Sequence, residues 1–267
     1  MRNDKARERE RRARSPRERH GTKPPSARTE RAPGRALGVA SDIAVTTHES
    51  VYRGLRRRIL FGGFLPGSAV TLRGLAEDMG VSPTPVREAV RRLIAERALT
   101  MRDNRRVLVP PMTAGTFEQI VFARRTLEPE LAARAMDRIG AAEIRQIALH
   151  DKAVDRAMAI GDVHGYMESN YRFHFAIYRH AGAETLLALV ESIWLQFGPF
   201  MRMAYSRWGT ADLADQHQAA IAALERKDRK ALRAAIAADA SQGMSFIGEA
   251  VLKRPHRRPD GRRAAEG

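Results

Sequence analysis

The sequence predicts a mainly α-helical protein in which an N-terminal winged helix-turn-helix precedes an all-helical bundle of about six helices. Three observations support this fold class. Residues 47–98 show three helical periodicities, and residues 99–109 show two short strand-like runs around a polar turn. Residues 115–252 show helical periodicity without a strand signal. Pro110 and Pro111 separate the two parts.

The N-terminal elements can be placed one by one. Apolar side chains recur at helical spacing over residues 47–61, and a short second helix is predicted over residues 72–79. Ser82 stands at an N-cap position before the third helix. Strand-like runs at residues 99–102 and 107–109 then form a hairpin. Three helices followed by a hairpin are the element order of a winged helix-turn-helix.

The charge is uneven along the chain. The formal net charge is +16, which favours an anionic partner such as nucleic acid. Residues 47–112 hold 12 Lys/Arg against 6 Asp/Glu, whereas residues 113–252 hold 16 against 17. Both ends of the chain are strongly basic and poor in apolar residues. We expect a disordered basic arm (1–44), a winged helix-turn-helix domain (45–111), a helical effector-binding and dimerisation domain (112–252) and a disordered basic tail (253–267).

Composition also excludes several classes of protein. The chain contains no cysteine, which rules out disulfides, cysteine nucleophiles and thiolate metal sites and agrees with a reducing compartment. No apolar run approaches the length of a membrane span, and the basic arm lacks the apolar stretch of a signal peptide. We therefore expect a cytoplasmic protein without a membrane partner.

The predicted third helix carries groups that suit the major groove of DNA. A helix-turn-helix lays its second helix in that groove, where side chains from the N-terminal turns meet base edges. Thr84 and Arg87 lie in the first turns, and Arg91 follows one turn later on the same face. Arg73 begins the helix before it. An arginine can bind guanine O6 and N7 with two hydrogen bonds.

The hairpin tip adds two further arginines. Arg105 and Arg106 lie where a wing can reach the minor groove or the adjacent phosphates. For each arginine of this half, the alternative is a solvated surface charge. Their grouping on one predicted face favours double-stranded DNA as the partner.

Residues 51–99, with the LAEDMGVS turn and the TPVREA start of the third helix, resemble the DNA-binding domain of GntR-type bacterial regulators. The resemblance implies that Arg73, Thr84 and Arg87 contact operator DNA. It also shows a departure, because Pro83 stands where the family usually has a second base-reading arginine. The sequence of the preferred operator is expected to differ accordingly.

Two charges fall inside an apolar face of the first bundle helix. If residues 115–139 are drawn as a helix, Arg124 and Glu128 lie on the same face as Ile120 and Leu131. Such residues form a buried ion pair or a dimer contact, because unpaired buried charge is costly. The other interpretation is an arginine that binds the carboxylate of a small effector.

Four more polar residues are predicted to point inward. Asn170 and His174 share an apolar face, and His217 and Asp239 lie at similar distances from a helix-helix turn near Lys227. An antiparallel helical hairpin would place His217 and Asp239 side by side. Two imidazoles with a carboxylate and an amide oxygen suit Zn²⁺, Ni²⁺ or Mn²⁺. A hydrogen-bonded cluster or a metal-free anion pocket remains the alternative.

Residues 115–250 resemble the FCD effector domain of the FadR subfamily, through RRTLEPELAARA at 124–135, the N-x-x-F-H pattern at 170–174, and His217. The metal set of that family is an aspartate or asparagine followed by three histidines. Asp239 takes the place of the last histidine. The resemblance implies a homodimer that binds a pseudo-palindromic operator and whose DNA affinity changes when a small organic acid enters the bundle. Most relatives are repressors, and activators occur.

Two other functions fit parts of the sequence. A metal-dependent enzyme could activate water at the inward-facing cluster, with Glu168 or Asp239 as the base, but it leaves the winged helix unexplained. An architectural DNA-binding protein could act through its basic ends alone, because phosphate contacts carry no sequence information. We expect a regulator and not an enzyme, with Arg124, Asn170, His174 and His217 as effector-binding residues.

Overall fold

A computed structural model describes residues 36–102, 106–208 and 216–252. Its N-terminal part contains three helices and a small three-stranded sheet, and its C-terminal part contains six further α-helices. The mainly α-helical fold class predicted from sequence is confirmed. None of the helices within the described residues is long and apolar enough to cross a membrane.

The N-terminal domain is a three-helix unit closed by a sheet. Leu55, Val86 and Leu93 come from two of its helices and are fully buried between them. Because apolar side chains recur three and four residues apart, each helix buries one stripe and leaves its polar face in solvent. The elements are α1 (Ala36–Leu60), β1 (Val70–Thr71), α2 (Leu72–Met79), α3 (Pro83–Ala95), β2 (Thr100–Met101) and β3 (Arg106–Leu108).

Local signals fix the turn between α2 and α3. The Thr71 side chain accepts a hydrogen bond from the backbone of Gly74 at the start of α2. Gly80 ends α2 in the left-handed conformation, with φ 64°, which a glycine adopts at no steric cost. Ser82 occupies the N-cap position of α3 as predicted, although its side chain makes no capping hydrogen bond. The turn that sets the angle of α3 is thus encoded locally.

The sheet differs from prediction in one strand. β2 and β3 form the expected antiparallel hairpin, and β1 pairs with the outer edge of β3, with Val70 opposite Val107. A two-residue strand has no periodicity to detect, so β1 was not predicted. The first helix also begins earlier than predicted, at Ala36 rather than at residue 47.

The C-terminal domain is a bundle of six α-helices, as predicted. Gly161 and Gly182 have positive φ angles at the ends of their helices. Phe173, Tyr178 and Trp194 are among its large side chains with almost no exposure. The helices are α4 (Ala114–Ala135), α5 (Ala141–Ala159), α6 (Val163–Tyr178), α7 (Glu184–Trp208), α8 (Gln216–Glu225) and α9 (Arg229–Leu252).

The two domains are packed against each other where α1 ends. The Phe61 ring lies edge-on to Tyr171 of α6, with 5.8 Å between ring centroids. A Cβ atom on Gly198 of α7 would lie 2.7 Å from the carbonyl oxygen of Leu60. Only glycine therefore allows α7 to approach the end of α1 this closely.

Candidate functional site

The outer face of α3 is the surface that the sequence predicts to contact DNA. Thr84, Arg87 and Arg91 are exposed there, while Val86 and Val90 on the opposite face are fully buried. Thr84 and Arg87 lie in the first turns of α3, where the helix N-terminus adds a partial positive charge. Nothing among residues 47–102 and 106–109 covers this face, so all three side chains are accessible there.

The arginines on this surface are held only weakly. Arg73 Nε and Arg91 Nη1 each lie 2.8 Å from a glutamate of their own helix, and both pairs are exposed. Exposed ion pairs contribute about 0–1 kcal/mol, so a phosphate or base can replace the glutamate at little cost. Arg87 has no ion-pair partner within the described residues.

The wing is described in part. Arg106 is exposed on β3, and its Cα pairs with that of Thr71 on β1. Arg105 lies outside the described residues, as does the rest of the hairpin tip. The structure thus places one of the two predicted wing arginines next to the start of α2, which carries Arg73.

A second group of polar side chains is enclosed in the bundle. His174 of α6, His217 of α8 and Asp239 of α9 each offer one donor atom, and these atoms lie within 4.8 Å of one another. His174 Nε2 is 3.2 Å from one carboxylate oxygen of Asp239, and His217 Nε2 is 3.6 Å from the other. The predicted convergence of His217 and Asp239 across the α8–α9 turn is therefore observed.

The hydrogen bonds of His174 indicate which ring nitrogen carries the proton of the neutral ring. The other nitrogen is the one that faces Asp239. The Tyr178 hydroxyl donates its single proton to Glu128, at 2.8 Å. It must therefore accept at its oxygen from His174 Nδ1, at 3.1 Å. In the neutral ring this leaves Nε2 without a proton. His174 is fully buried, and its Nε2 has no hydrogen-bond partner.

His217 is oriented in the same way by a different carboxylate. Its Nδ1 donates to Asp151 of α5, at 2.9 Å, because an ionised carboxylate can only accept. Asp151 is buried, with 2% exposure, and also accepts a hydrogen bond from Gln218. Both histidines therefore present Nε2 to Asp239, and each has its other nitrogen tied to an acidic residue directly or through a tyrosine.

Arg124 and Glu128 form a buried ion pair, the first of the two alternatives that the sequence left open. Arg124 Nε lies 2.6 Å from Glu128 Oε1 and Nη2 lies 3.2 Å from Oε2. Glu128 also accepts from the indole of Trp194, at 3.1 Å. The guanidinium carbon is 4.3 Å from the centroid of the Phe197 ring. Arg124 is thus held by its neighbours on several sides.

The charge of this interior is unbalanced. Arg124 supplies one positive charge against the three carboxylates of Glu128, Asp151 and Asp239, so the set carries −2 when both histidines are neutral. Burial raises the pKa of Asp239, but the neighbouring His174, His217 and Arg124 outweigh it and hold that pKa well below its usual value. A buried, ionised carboxylate within a set of net negative charge is a position that favours a cation.

Asn170, the fourth predicted ligand, lies one turn before His174 on α6 and is buried. It is near the cluster in the fold, but it makes no side-chain hydrogen bond to another described residue of the cluster. A second polar pair borders the same region. The hydroxyls of Tyr166 and Tyr205 lie 2.5 Å apart, and burial is the main cause that raises the pKa of Tyr205 to about 12.

Sequence reasoning missed the residues that orient the histidines. Asp151 lies between Ile147 and Val154 on the buried face of α5, so the test that identified His174 would also have found it. Tyr178 gave no such signal, because a tyrosine on an apolar face is ordinary core. Its role emerges only when α4 places Glu128 next to its hydroxyl.

Comparison with known families divides the chain as the fold does. Residues 47–109 match the family described as "Bacterial regulatory proteins, gntR family", and residues 119–241 match the FCD domain. The GntR match coincides with the winged helix-turn-helix, and the FCD match lies within the bundle. The polar cluster lies within the FCD match, and the exposed face of α3 lies within the GntR match.

Individual relatives cover both domains. The chain is 26% identical over 196 residues to the HTH-type transcriptional regulator McbR of Escherichia coli, a match that covers 72% of this chain and 89% of McbR. It is 25% identical over 186 residues to the HTH-type transcriptional repressor GlaR of the same organism, covering 66% and 84%. The solved structure of E. coli McbR/YncC superposes with a TM-score of 0.71 at 25% identity, covering 76% of this chain and 97% of that one.

Proposed function

Because the chain belongs to the GntR family of bacterial regulators and carries an FCD domain, we propose that it is a repressor released from its operator by a small organic acid. One observation supports this most directly. A buried cluster with an unsatisfied imidazole nitrogen lies in a bundle that is packed against the DNA-binding domain. Ligand-responsive DNA binding is the family's activity, and the finer proposal concerns its sign and its effector.

On the DNA side, we assign the contacts to the exposed arginines and threonine of the N-terminal domain. Arg87 lies where a guanidinium reaches base edges, and Arg91 and Arg73 lie where they reach phosphates. A homodimer would place two copies of α3 in successive major grooves of a pseudo-palindromic operator. Operator DNA lies in the cytoplasm, where we place the protein. The proposed contact residues are Arg73, Thr84, Arg87, Arg91, Arg105 and Arg106.

In the bundle, the donor set fits a divalent metal ion. His174 and His217 each direct Nε2 at Asp239, and the net charge of −2, counted with both imidazoles neutral, matches one divalent cation. We propose these three residues as ligands and Asn170 as the fourth. Imidazole and carboxylate donors suit Zn²⁺, Ni²⁺ or Mn²⁺. Such an ion would act as a Lewis acid toward an effector carboxylate.

The residues of the chain then determine what the effector meets. His174 and His217 would hold the metal from the α6 and α8 sides, and Asn170 can offer an amide to a carboxylate or hydroxyl oxygen. Arg124 is paired with Glu128. We therefore propose that Arg124 contributes positive charge to the effector site while Glu128 stays bound to its guanidinium. An anion is favoured there only if its charge is met by metal and guanidinium together.

Release of the operator by the effector follows from the position of α6, which contacts both the polar cluster and the DNA-binding domain. The same helix carries Asn170 and His174 on its buried side and contacts the end of α1 through Tyr171. A ligand that shifts α6 therefore changes the position of the DNA-binding domain relative to the bundle. The effector can weaken DNA binding only by as much as its affinity differs between the two arrangements.

The proposal is tested on the purified full chain with an operator selected from a random DNA library. Operator affinity is measured by fluorescence anisotropy while Zn²⁺, Ni²⁺ or Mn²⁺ is added with a panel of small carboxylic acids. We expect one metal and acid combination to weaken operator binding by roughly 5–150-fold. His174→Ala should remove this response and keep basal DNA binding, while His180→Ala, a histidine outside the cluster, should respond like the wild type. An equal response in His174→Ala would contradict the proposal.

A further inference from the structure

The polar cluster borders open space inside the bundle. The Asp239 side chain is 23% exposed, although the two histidines that flank it are only 0% and 10% exposed. The amide of Asn170, one turn before His174 on α6, is buried and makes no hydrogen bond with a described residue. With its Oδ1 on the proposed metal ion, its NH2 group is still free to donate. An exposed carboxylate and a free amide side by side indicate a chamber next to the cluster.

Gly243 borders this chamber from α9. It lies one turn after Asp239, and its neighbours on the same side of the helix, Ile236 and Ile247, are each 1% exposed. Position 243 therefore faces the interior. A Cβ atom added there would nevertheless have no atom of a described residue within 4 Å. Because protein interiors are close-packed, an inward position with open space around it marks room for a bound molecule.

Three aromatic side chains lie at the far end of the chamber. Tyr166 is two turns before His174 on α6, and Phe246 is two turns after Asp239 on α9. The ring of Tyr205 on α7 contacts both, with centroid distances of 4.2 Å to Tyr166 and 5.0 Å to Phe246. At a rise of about 1.5 Å per residue, these rings lie roughly 10–12 Å from the cluster along both helices. The chamber therefore has a polar end and an aromatic end.

The aromatic end carries one hydrogen-bond donor without an acceptor among the described residues. The hydroxyls of Tyr166 and Tyr205 are 2.5 Å apart and share one hydrogen bond. Two hydroxyl groups hold two protons, so one proton is left for an outside acceptor. Burial raises the pKa of both tyrosines, which keeps both protons in place at neutral pH. Asp239 and Arg124 shift these pKa values in opposite directions. Their charges therefore oppose each other at this end, where a neutral acceptor is favoured over a second carboxylate.

We propose that the effector is an elongated monocarboxylic acid whose far end carries a neutral oxygen that accepts a hydrogen bond from the Tyr166–Tyr205 pair. The inference rests on the proposed function, because the carboxylate binds at the metal end of the chamber, and it adds the length and the second polar group of the acid. A contact of about 2–3 Å at each end leaves roughly 5–7 Å between the two polar groups of the ligand. A benzoate with a para oxygen has this length, and its ring suits the aromatic end.

The first test compares para-hydroxybenzoate with benzoate by calorimetry, on the full chain saturated with whichever of Zn²⁺, Ni²⁺ or Mn²⁺ it binds. Para-hydroxybenzoate should bind about 3–10-fold more tightly, the contribution of one neutral hydrogen bond. The double variant Tyr166→Phe with Tyr205→Phe keeps both rings and should lose this preference while binding benzoate as before. Tyr52→Phe, the matched control, removes a hydroxyl from the DNA-binding domain and should keep the preference. A wild type without the preference, or a double variant that retains it, would overturn the proposal.

A second test measures the length of the chamber without changing the tyrosines. Gly243→Leu places a side chain in the open space and should weaken the binding of para-hydroxybenzoate at least ~10-fold. Acetate, which is too short to reach Gly243 from the cluster, should bind the variant and the wild type alike. A Gly243→Leu chain that is folded by circular dichroism and binds both acids like the wild type would contradict a chamber at this position. Acids that weaken operator binding without any preference for a far oxygen would refute this inference and leave the proposed function intact, whereas a chain that binds no carboxylic acid would refute both.

Discussion

Two ion pairs on α4 have the same separation in sequence and similar distances but differ strongly in burial. Arg124 Nε lies 2.6 Å from Glu128 Oε1, and Arg134 Nε lies 2.6 Å from Glu130 Oε1, both at a spacing of four residues. The first pair has side-chain exposures of 4% and 0%, and the second has 53% and 29%. Neutralising either glutamate removes one negative charge from the same helix. The difference between the two effects therefore reports the cost of an unpaired buried charge together with the change in the hydrogen bonds that Glu128 accepts from Tyr178 and Trp194.

We expect Glu128→Gln to lower the free energy of unfolding by about 3–5 kcal/mol, because it leaves the Arg124 charge buried without a counter-ion. Glu130→Gln should cost less than about 1 kcal/mol, since solvent screens an exposed pair. The expected difference is therefore about 3 kcal/mol. Urea unfolding followed by the fluorescence of the two tryptophans gives both values by linear extrapolation.

Two results would refute this reasoning. Equal costs within about 1 kcal/mol would mean that Arg124 is solvated or finds another acceptor. Full recovery of stability on replacing Arg124 by Met and Glu128 by Leu together would mean that the charge pair is the whole interaction. We expect incomplete recovery, because Tyr178 and Trp194 would each lose a hydrogen-bond acceptor.

Three further predictions concern the DNA-binding surface, the cluster and the domain junction. Arg87→Ala should weaken operator binding by roughly 1–3 kcal/mol in anisotropy titrations, with little change for Arg145→Ala; an equal loss on random DNA would contradict base readout. Tyr178→Phe should lower the affinity for a divalent metal ion about 10–100-fold, as measured by calorimetry. An unchanged affinity would show that Tyr178 does not orient a metal ligand. Gly198→Ala should lower the thermal midpoint, since its Cβ would meet a backbone oxygen, whereas Gly243→Ala, with open space around it, should raise stability by roughly 0.5–1 kcal/mol.

Sequence patterns predicted the parts of the fold that depend on local spacing. The six bundle helices follow from apolar residues at helical intervals, and the meeting of His217 with Asp239 follows from their equal distances to the α8–α9 turn. Both are statements about one helix or one hairpin. The two-residue strand β1 was missed because its pairing with Val107 is a tertiary contact without a local pattern.

The chemistry of the cluster was only half predictable for the same reason. A polar residue on an apolar face can be recognised from spacing, and this identified Asn170 and His174. Which partner it meets depends on how separate helices are oriented. Tyr178 and Asp151 could be connected to the histidines only once α4, α5 and α8 were placed around α6. The choice between an ion pair and a ligand contact for Arg124 needed the same information.

The most direct test of the central claim is the linkage between the bundle and the operator. Calorimetry measures the affinity of the full chain for its metal and acid effector, first alone and then saturated with operator DNA. A single ligand-responsive regulator requires that the operator weaken effector binding by the same factor by which the effector weakens operator binding. Effector affinity that is unchanged by saturating operator would show that the buried cluster and the DNA-binding surface are not coupled.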